Sequence, residues 1–524
     1  MKKILILFLF ILSTLMVSSC SKKNVATYSF EITGSTALRT SVVINYEFKD
    51  EDNQLANSEI RYAIYQEGSD EVVKKGEFNK TISTITISSL NQGTSYIMDV
   101  TTAFDNKAVT IIGGYKFETS SLGTSAENPY LISEASEFRT MLQNDYTGYY
   151  KLTNDLDFSG AGIDPLFTSK STYFAGVFDG DGHSIKNFNL GIAPKSETDT
   201  PTNHTYSTTY GGIFGGISDT GVVKNLVIED SQFYVFRSST AYFAFIAGYN
   251  AGTIQNVTIK NSSLYVKGTT NVLYAGGIAG HNFGAGLIED CHLDNVAISV
   301  STSASAIVGG IIGTNDARES SATTPNKVMN CSFEGSIKVV IGTSSTISSQ
   351  VNAKIGGLVG YNNSYVGSST VDALITVKTD ARNYTSSTFN LYVGGAVGHN
   401  LRDGSSVLYG VNVKTAINLD AKDAKDIAYG FVVGYNGGSK ETSSAQVLSC
   451  TFEAKEGENQ INALADKVSV NNVGLIGVNK ASNSEVGFDG SVTVTVNEFE
   501  TKTSEEALNT KSLLVSSNGT NLAE

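Results

Sequence analysis

Polar and apolar positions alternate along most of the chain with a period of two, the spacing of strand residues that face opposite sides. Between residues 27 and 120 the alternation falls into seven short runs, at 27–32, 41–48, 59–65, 71–75, 81–87, 95–103 and 110–118. Turn-forming stretches such as Asp50-Glu51-Asp52-Asn53, Gly68-Ser69-Asp70 and Asp105-Asn106 separate them. Short strands punctuated in this way predict an antiparallel β-sandwich. After a turn-rich linker at 123–129, helical spacing surfaces briefly. Ser133 can N-cap a short helix with Glu134 and Glu137 at its positive end and with Phe138, Met141 and Leu142 on one face. Such a helix would plug the open end of a stack of strands. The polar run Pro194–Thr209 predicts an inserted loop.

From residue 211 a pattern recurs. It begins as Gly211-Gly212-Ile213-Phe214-Gly215 and has its fullest form in Gly356-Gly357-Leu358-Val359-Gly360-Tyr361-Asn362. The last glycine of each copy stands at 215, 248, 280, 313, 360, 398, 434 and 477. The intervals are therefore 33, 32, 33, 47, 38, 36 and 43, a steady minimum with longer excursions, as in a solenoid with loop insertions. Each copy is followed by a second run, for example Val223–Ile228 or Ile254–Ile259, and often by a third, such as Val296–Val300. Three strands per repeat predict one coil of a parallel, right-handed β-helix. Coils about 4.8 Å apart would raise the stack by roughly 35–40 Å over eight copies. Branched residues would stack inward, glycines would allow backbone shapes that a Cβ hinders, and the asparagine closing each copy would form an amide ladder.

The repeat resembles the GLUG-motif family over about residues 121–496. That resemblance implies a β-helix in a cell-surface or secreted bacterial protein, often of adhesin-like character, and it implies no reaction. The stretch Ile87-Ser88-Ser89-Leu90-Asn91-Gln92-Gly93-Thr94-Ser95-Tyr96 resembles fibronectin type III domains, in which the Tyr hydroxyl bonds back across a corner; the early Trp of that family is missing here. The resemblance implies a spacer or binding surface. The fold class expected is all-β, a sandwich followed by a β-helix with short capping helices.

The first residues change where such a protein would sit. Lys2 and Lys3 precede an apolar stretch, Ile4–Val17, which is too short to span a bilayer comfortably. It ends in Val17-Ser18-Ser19-Cys20, which resembles the lipobox of bacterial lipoproteins. The resemblance implies a lipidated Cys20, cleavage before it and, with no Asp at the next position, an outer-membrane address. Many surface-exported lipoproteins of the Bacteroidetes type carry acidic residues just after the cysteine, whereas this chain has Lys22 and Lys23, so either side of that membrane stays open. The expected plan is a leader at 1–19, a lipidated tether at 20–26, the sandwich at 27–120, a cap with the first strands at 121–190, the β-helix at 191–496, and a terminal cap and tail at 497–524. In the last of these, Ser504 could cap a helix containing Ala507, Leu508 and Leu513.

Composition adds limits. Of the residues, 40% are hydrophobic and 17% charged, which excludes wholesale disorder. A net charge of -14 argues against a nucleic-acid partner, since phosphate binding needs a basic face. The partners implied are the membrane and extracellular glycans or proteins of a host or neighbouring cell; no cofactor is implied.

Candidate chemistry is sparse. Asp155, Asp157, Asp164, Asp179 and Asp181 could hold calcium, but Asp-Gly pairs are also ordinary turn formers. His281 and His399 share one repeat position about three coils apart, roughly 14 Å at strand spacing and too far to share a metal ion. His183 lies in a turn and His204 in the polar insertion. Cys291 and His292 are adjacent in a strand and face opposite ways, against a nucleophile pair. Cys291, Cys331 and Cys450 take the position held elsewhere by Leu226 and Val257 and are expected as buried free thiols. Tyr249, Tyr361, His399 and Tyr435 precede the ladder asparagine and form either a stripe for stacking sugars or a self-stacking ladder. The function expected is a non-enzymatic binding or adhesion scaffold on a lipid anchor. The alternatives are a polysaccharide-active enzyme, lyase or hydrolase, and a structural part of an envelope assembly.

Overall fold

The computed structural model describes residues 26–504, apart from 160–163, 192–207, 269–270, 318–325, 343–349, 380–387, 402–405, 422–423, 425, 438–444, 457–458, 463–472, 481–483, 489–490 and 497–498. The leader and Cys20, His204, most of the 194–209 insertion and the expected helix after Ser504 lie outside the described residues. The chain divides into two compact units at Ser120/Ser121.

The first unit is an antiparallel sandwich of β1 (Ser29–Ala37), β2 (Ser41–Lys49), β3 (Ile60–Gln66), β4 (Val72–Phe78), β5 (Thr84–Ser88), β6 (Ser95–Phe104) and β7 (Lys107–Glu118). One sheet runs β1-β2-β5 and the other β4-β3-β6-β7. Alternate residues from both, including Ile44, Tyr46, Ile64, Met98 and Val100, fill the core. The corner tyrosine is in place. Tyr96 is 1% exposed, and its hydroxyl accepts the N–H of Asn91 at 2.8 Å. Burying that ring without a partner for its oxygen would cost free energy, so the bond also fixes the corner.

The second unit opens with β8 (Tyr130–Ile132), α1 (Ala135–Leu142) and β9 (Tyr149–Leu152). The helix starts one residue later than expected, with Glu134 rather than Ser133 at the N-cap. The reason is Glu137, whose carboxylate accepts the N–H of Ser133 at 2.8 Å and of Glu134 at 3.2 Å as well as the Ser133 hydroxyl at 3.0 Å. Phe138 then points into the solenoid, its ring edge-on to Phe158 at 5.5 Å, Phe178 at 5.6 Å and Phe188 at 6.5 Å. The apolar end of the stack is thereby closed.

Beyond the cap the strands stack in parallel register. The column Val223, Ile254, Ile288, Val328, Val366, Leu408 and Val447 is in register and fully buried. Complete burial of each such side chain stabilises by about 1.5–3 kcal/mol. A representative coil holds four strands, Ala241–Phe243, Ala247–Asn250, Thr253–Lys260 and Ser263–Gly268, rather than three. The extra strand arises because the glycine segment folds into two short limbs. The repeat glycines are absent from the positive-φ residues, so their role is close approach, not unusual dihedrals. A Cβ on Gly360 would lie 2.6 Å from the Val308 nitrogen, and one on Gly356 would lie 2.2 Å from the Val359 oxygen.

The asparagine ladder is continuous. Each side-chain amide donates to the Oδ1 one coil on, from Asn250 to Asn282 at 2.8 Å, to Asn315 at 3.0 Å, to Asn362 at 2.9 Å and to Asn400 at 2.8 Å. It continues to Asn436 at 2.8 Å and Asn479 at 3.0 Å. The six amides from Asn250 to Asn436 are 0% exposed. A second column turns each coil through a left-handed residue. Asn225, Asn256, Asp290, Asn330, Ser368, Gly410 and Ser449 occupy it, with φ between 48° and 60°. Asn and Asp tolerate this region better than other non-glycine residues.

At the far end, Phe499–Ser504 pairs antiparallel with Ser491–Val496. Ser504 therefore ends a strand. Reversing direction ends the parallel register of the coils.

Replacing Asn362 by Ala would strand the Asn315 donor, the Asn400 acceptor and the Ser364 N–H. With each unsatisfied buried group costing about 1–3 kcal/mol, local opening of that coil should become easier by about 3 kcal/mol or more. Native-state hydrogen exchange should report faster exchange around 356–363 and unchanged protection in the sandwich, and the same change at the half-buried Asn479 should matter less.

Candidate binding face along the glycine corner

The two limbs of each glycine corner set up two columns of side chains. On the first limb Tyr210, Tyr242, Tyr274, Ile307, Lys354 and Tyr392 are in register. On the second are Tyr249, His281, Thr314, Tyr361, His399 and Tyr435. The second column faces away from the interior because its neighbour in the strand, the ladder asparagine, faces in. Glycine contact brings the limbs together, and rings from one column lean on the other. Tyr242 stacks on His281 at 5.4 Å, and Tyr392 meets Tyr435 at 4.9 Å.

This packing corrects the notion of one open stripe through Tyr249, Tyr361, His399 and Tyr435. Tyr361 is 5% exposed and His399 8%. Their rings meet edge-on at 5.4 Å, His399 meets Tyr435 the same way at 5.0 Å, and the Lys354 ammonium lies 3.9 Å over the Tyr361 ring. His399 is also pinned through Nε2, 3.0 Å from the Gly437 carbonyl. Tyr361 and His399 offer no free ring face. Tyr249 and Tyr435 are only partly buried, as are Tyr210, Tyr242, Tyr274 and Tyr392. The first column escaped the sequence reading because it precedes the motif. The available signal was a spacing of seven, in Tyr242/Tyr249, Tyr274/His281 and Tyr392/His399.

Burial sets the chemistry of these phenols. It pushes the Tyr242 hydroxyl far up, helped by the neighbouring Tyr274 and Tyr210 phenols and by Asp316. Burial likewise raises Tyr392 to about 12, with Asp426 and Tyr435 adding to the effect. Tyr173 and Tyr210 shift in the same direction for the same first cause. All therefore remain neutral hydrogen-bonding groups at ordinary pH.

The other candidates separate into structural roles. Asp155 accepts the Ser184 N–H at 2.9 Å, which lowers its pKa, and lies near His183 and Lys186. Asp157 is held low by Asn187 and by Ser159. Burial opposes ionisation of Asp179, but Asn225, the Asp181 N–H and Lys224 outweigh it. Asp181 pairs with Lys151 at 2.9 Å. Asp164 contributes its backbone oxygen to Arg139 at 3.3 Å. The carboxylates of Asp155, Asp157, Asp179 and Asp181 thus shape turns or neutralise strand lysines. Among the described residues no three His, Cys, Asp or Glu side chains lie close enough to hold a metal ion. His281 and His399 stand three coils apart, with Thr314 and Tyr361 between them. His292 bonds Ser332 through Nδ1 at 2.9 Å, while the Cys291 side chain is buried.

Cys291, Cys331 and Cys450 are buried free thiols. Each thiol donates to the carbonyl two residues earlier, at 3.3, 3.2 and 3.4 Å, just as the Ser369 hydroxyl does at 2.8 Å. Burial pushes Cys291 well up and Cys450 to about 11, so both stay unreactive thiols.

No family model matches the chain. A 184-residue stretch is 28% identical to halomucin of Haloquadratum walsbyi, covering 32% of this chain and 2% of that protein. A 141-residue stretch is 28% identical to a putative Gly-rich membrane protein of Evansella cellulosilytica, covering 26% of this chain and 15% of that one. The chain thus spans a small fraction of these curated relatives. Among solved structures, pectate lyase Pel3 of Pectobacterium carotovorum is 11% identical, with coverage of 69% and 90% and a TM-score of 0.13. Pectate lyase PelI of Erwinia chrysanthemi, solved with tetragalacturonic acid, is 12% identical with coverage of 69% and 88% and the same TM-score of 0.13. Superposition this poor carries no argument about substrate. Among the described residues no helix is long and apolar enough to cross a membrane.

A raised phenol pKa stabilises the fold below the unfolded value of 10.0, and that contribution is lost as pH climbs past it. Thermal stability should therefore not be eroded by these groups from neutral pH to just below 10, and should fall above it. Ultraviolet tyrosine titration should show the buried phenols ionising together with unfolding.

Proposed function

We propose that this chain is a lipid-anchored cell-envelope protein that acts as a non-enzymatic binding or adhesion scaffold, with extracellular glycans as its ligand class. The observation that carries the reading is the row of partly exposed tyrosines along the glycine corner, on three successive coils of the solenoid. Equal spacing on three successive coils, at Tyr210, Tyr242 and Tyr274, suits an extended ligand better than a compact one. Partner chemistry of this kind gains strength from repetition, since each added contact on a rigid array is intramolecular.

Three further observations support it. The leader at 1–19, followed by Cys20, has the order of a lipoprotein signal, and two or more acyl chains would give stable anchoring. The motif repeats resemble the GLUG form, and the first unit carries the corner tyrosine that its resemblance to fibronectin type III domains leads one to expect. One relative carries the name of a membrane protein. The acidic residues near the cap have turn and ion-pair duties, which leaves the binding reading simpler than a lyase.

Two measurements bear on it. Cys20→Ser should move the protein from the detergent phase to the aqueous phase on detergent partitioning and abolish incorporation of labelled fatty acid. Protease treatment of intact cells should degrade the solenoid, and incubation with uronic-acid polysaccharides should release no unsaturated ends. A protected protein or new unsaturated ends would overturn the adhesion reading.

A further inference from the structure

We infer that Tyr365 and Tyr409 form a stacking platform for a glycan strand running across successive coils, on the sheet that does not carry the glycine corner. The inference rests on the binding-scaffold reading and gives it a second place, independent of the corner tyrosines.

The platform follows from the buried aliphatic column. Val328, Val366, Leu408 and Val447 point inward, so the residues on either side of each face solvent. One outward column reads Lys224, Gln255 and Glu289 on earlier coils and then changes to Met329, Gly367, Tyr409 and Leu448. Beside it Lys327, Tyr365 and Val407 are in register. Polar residues suit a solvated face. The change gathers Met329, Tyr365, Val407, Tyr409 and Leu448 on the surface, and none of them is buried. Tyr409 is 45% exposed.

Gly367 shapes this surface. It faces outward, yet it is buried. Its cover is the Tyr365 ring. A Cβ on Gly367 would lie 2.6 Å from the ring carbons Cε1 and Cζ and would also strike the hydroxyl. Outward neighbours two residues apart on one strand are separated by roughly 6–7 Å, so the ring reaches that place only by lying down along its strand. A ring lying on a sheet turns one side to the backbone and leaves the other to solvent. Tyr409 adjoins it, opposite Gly367 on the next strand at about 4.8 Å. Among the described residues neither tyrosine side chain forms a hydrogen bond or a ring–ring contact. The corner tyrosines differ, because their rings stack on one another.

The surroundings select the ligand. Past the left-handed bends at Asn330, Ser368, Gly410 and Ser449, the next outward row is Ser332, Thr370, Asn412 and Thr451. Neutral hydroxyls and an amide therefore border the apolar rings. A pyranose has the same division, with C–H groups on its face and hydroxyls on its rim, and it can use both. An acyl chain would use only the apolar half. A peptide adding as a strand needs an open sheet edge, whereas these strands are paired on both sides. A second copy of the chain would need about 800 Å² per partner, more than five partly exposed side chains supply. From Met329 to Leu448 the platform spans three strand steps, roughly 14 Å, which suits a short run of sugar rings.

The test uses the absence of tryptophan from the chain. Tyr409→Trp places a single such fluorophore on the platform and keeps an aromatic face there. This full-length variant is titrated with hexasaccharides from β-glucan, mannan, galactan and polygalacturonate, and the unmodified protein is run by affinity electrophoresis through gels containing the same polymers. The expected result is a saturable blue shift of tryptophan emission with at least one hexasaccharide. Adding Tyr365→Ala should weaken the apparent affinity about tenfold, and so should adding Gly367→Ala, with melting temperatures unchanged. Gly367→Ala keeps both rings and lifts Tyr365 off the sheet, at a position outside the left-handed region. Equal affinity in both added variants would overturn the platform. A blue shift that grows with protein concentration and ignores sugar would overturn the glycan assignment in favour of a second copy of the chain. No shift with any hexasaccharide, while the gels retard the unmodified protein, would overturn the platform and leave the scaffold reading standing. No shift and no retardation would overturn the platform and the glycan reading together.

Discussion

The close contact of glycine limbs is the constraint on which the second unit depends. With no Cβ at Gly356 or Gly360, the limbs of one coil can touch those of the next. That contact narrows the corner so that the following asparagine enters the interior. A fully buried amide needs every hydrogen bond it can make, and here its partners are the same amides one coil away. Each repeat therefore satisfies its neighbours, and a single one could not be stable alone. The ladder continues from coil to coil although the intervals between copies vary from 32 to 47 residues.

Much of this was legible in the sequence because the forces are local and periodic. Alternation located all seven strands of the sandwich, and the recurrence of glycine with asparagine located the coils and the ladder. The rest depended on geometry that no single copy displays. The split of the glycine segment into two limbs follows from contacts between coils, so the expected count of three strands became four. The left-handed bends at Asn225, Asn256, Asp290 and Asn330 were present as a column of Asn and Asp just before the Leu226, Val257, Cys291 and Cys331 position. Their meaning appears only when coils are aligned. At α1, Glu137 could serve either Ser133 or Glu134, and the carboxylate reaches both, which moves the cap by one residue.

The candidate site was half legible. The column before the ladder asparagine was visible, because its residues occupy a fixed place in the motif. Its outward direction was not, and it follows once the ladder asparagine beside it is seen to be buried. The second column was not visible, and it changes the chemistry, because it supplies the rings and the Lys354 ammonium that cover Tyr361 and His399. A stripe judged from one column looks like a stacking platform; two columns in contact make a packed layer with a polar rim.

That distinction bears on how a repeat scaffold can acquire specificity. Positions in the interior are fixed by their neighbours above and below, as the buried aliphatic column and the amide ladder show. The ring layer is fixed too, by its stacked faces and by phenolic contacts such as that between Tyr242 and Tyr274. A coil can change its outward residues, as at Ile307 and Thr314, without interrupting the ladder beneath it, since Asn315 still bridges Asn282 and Asn362.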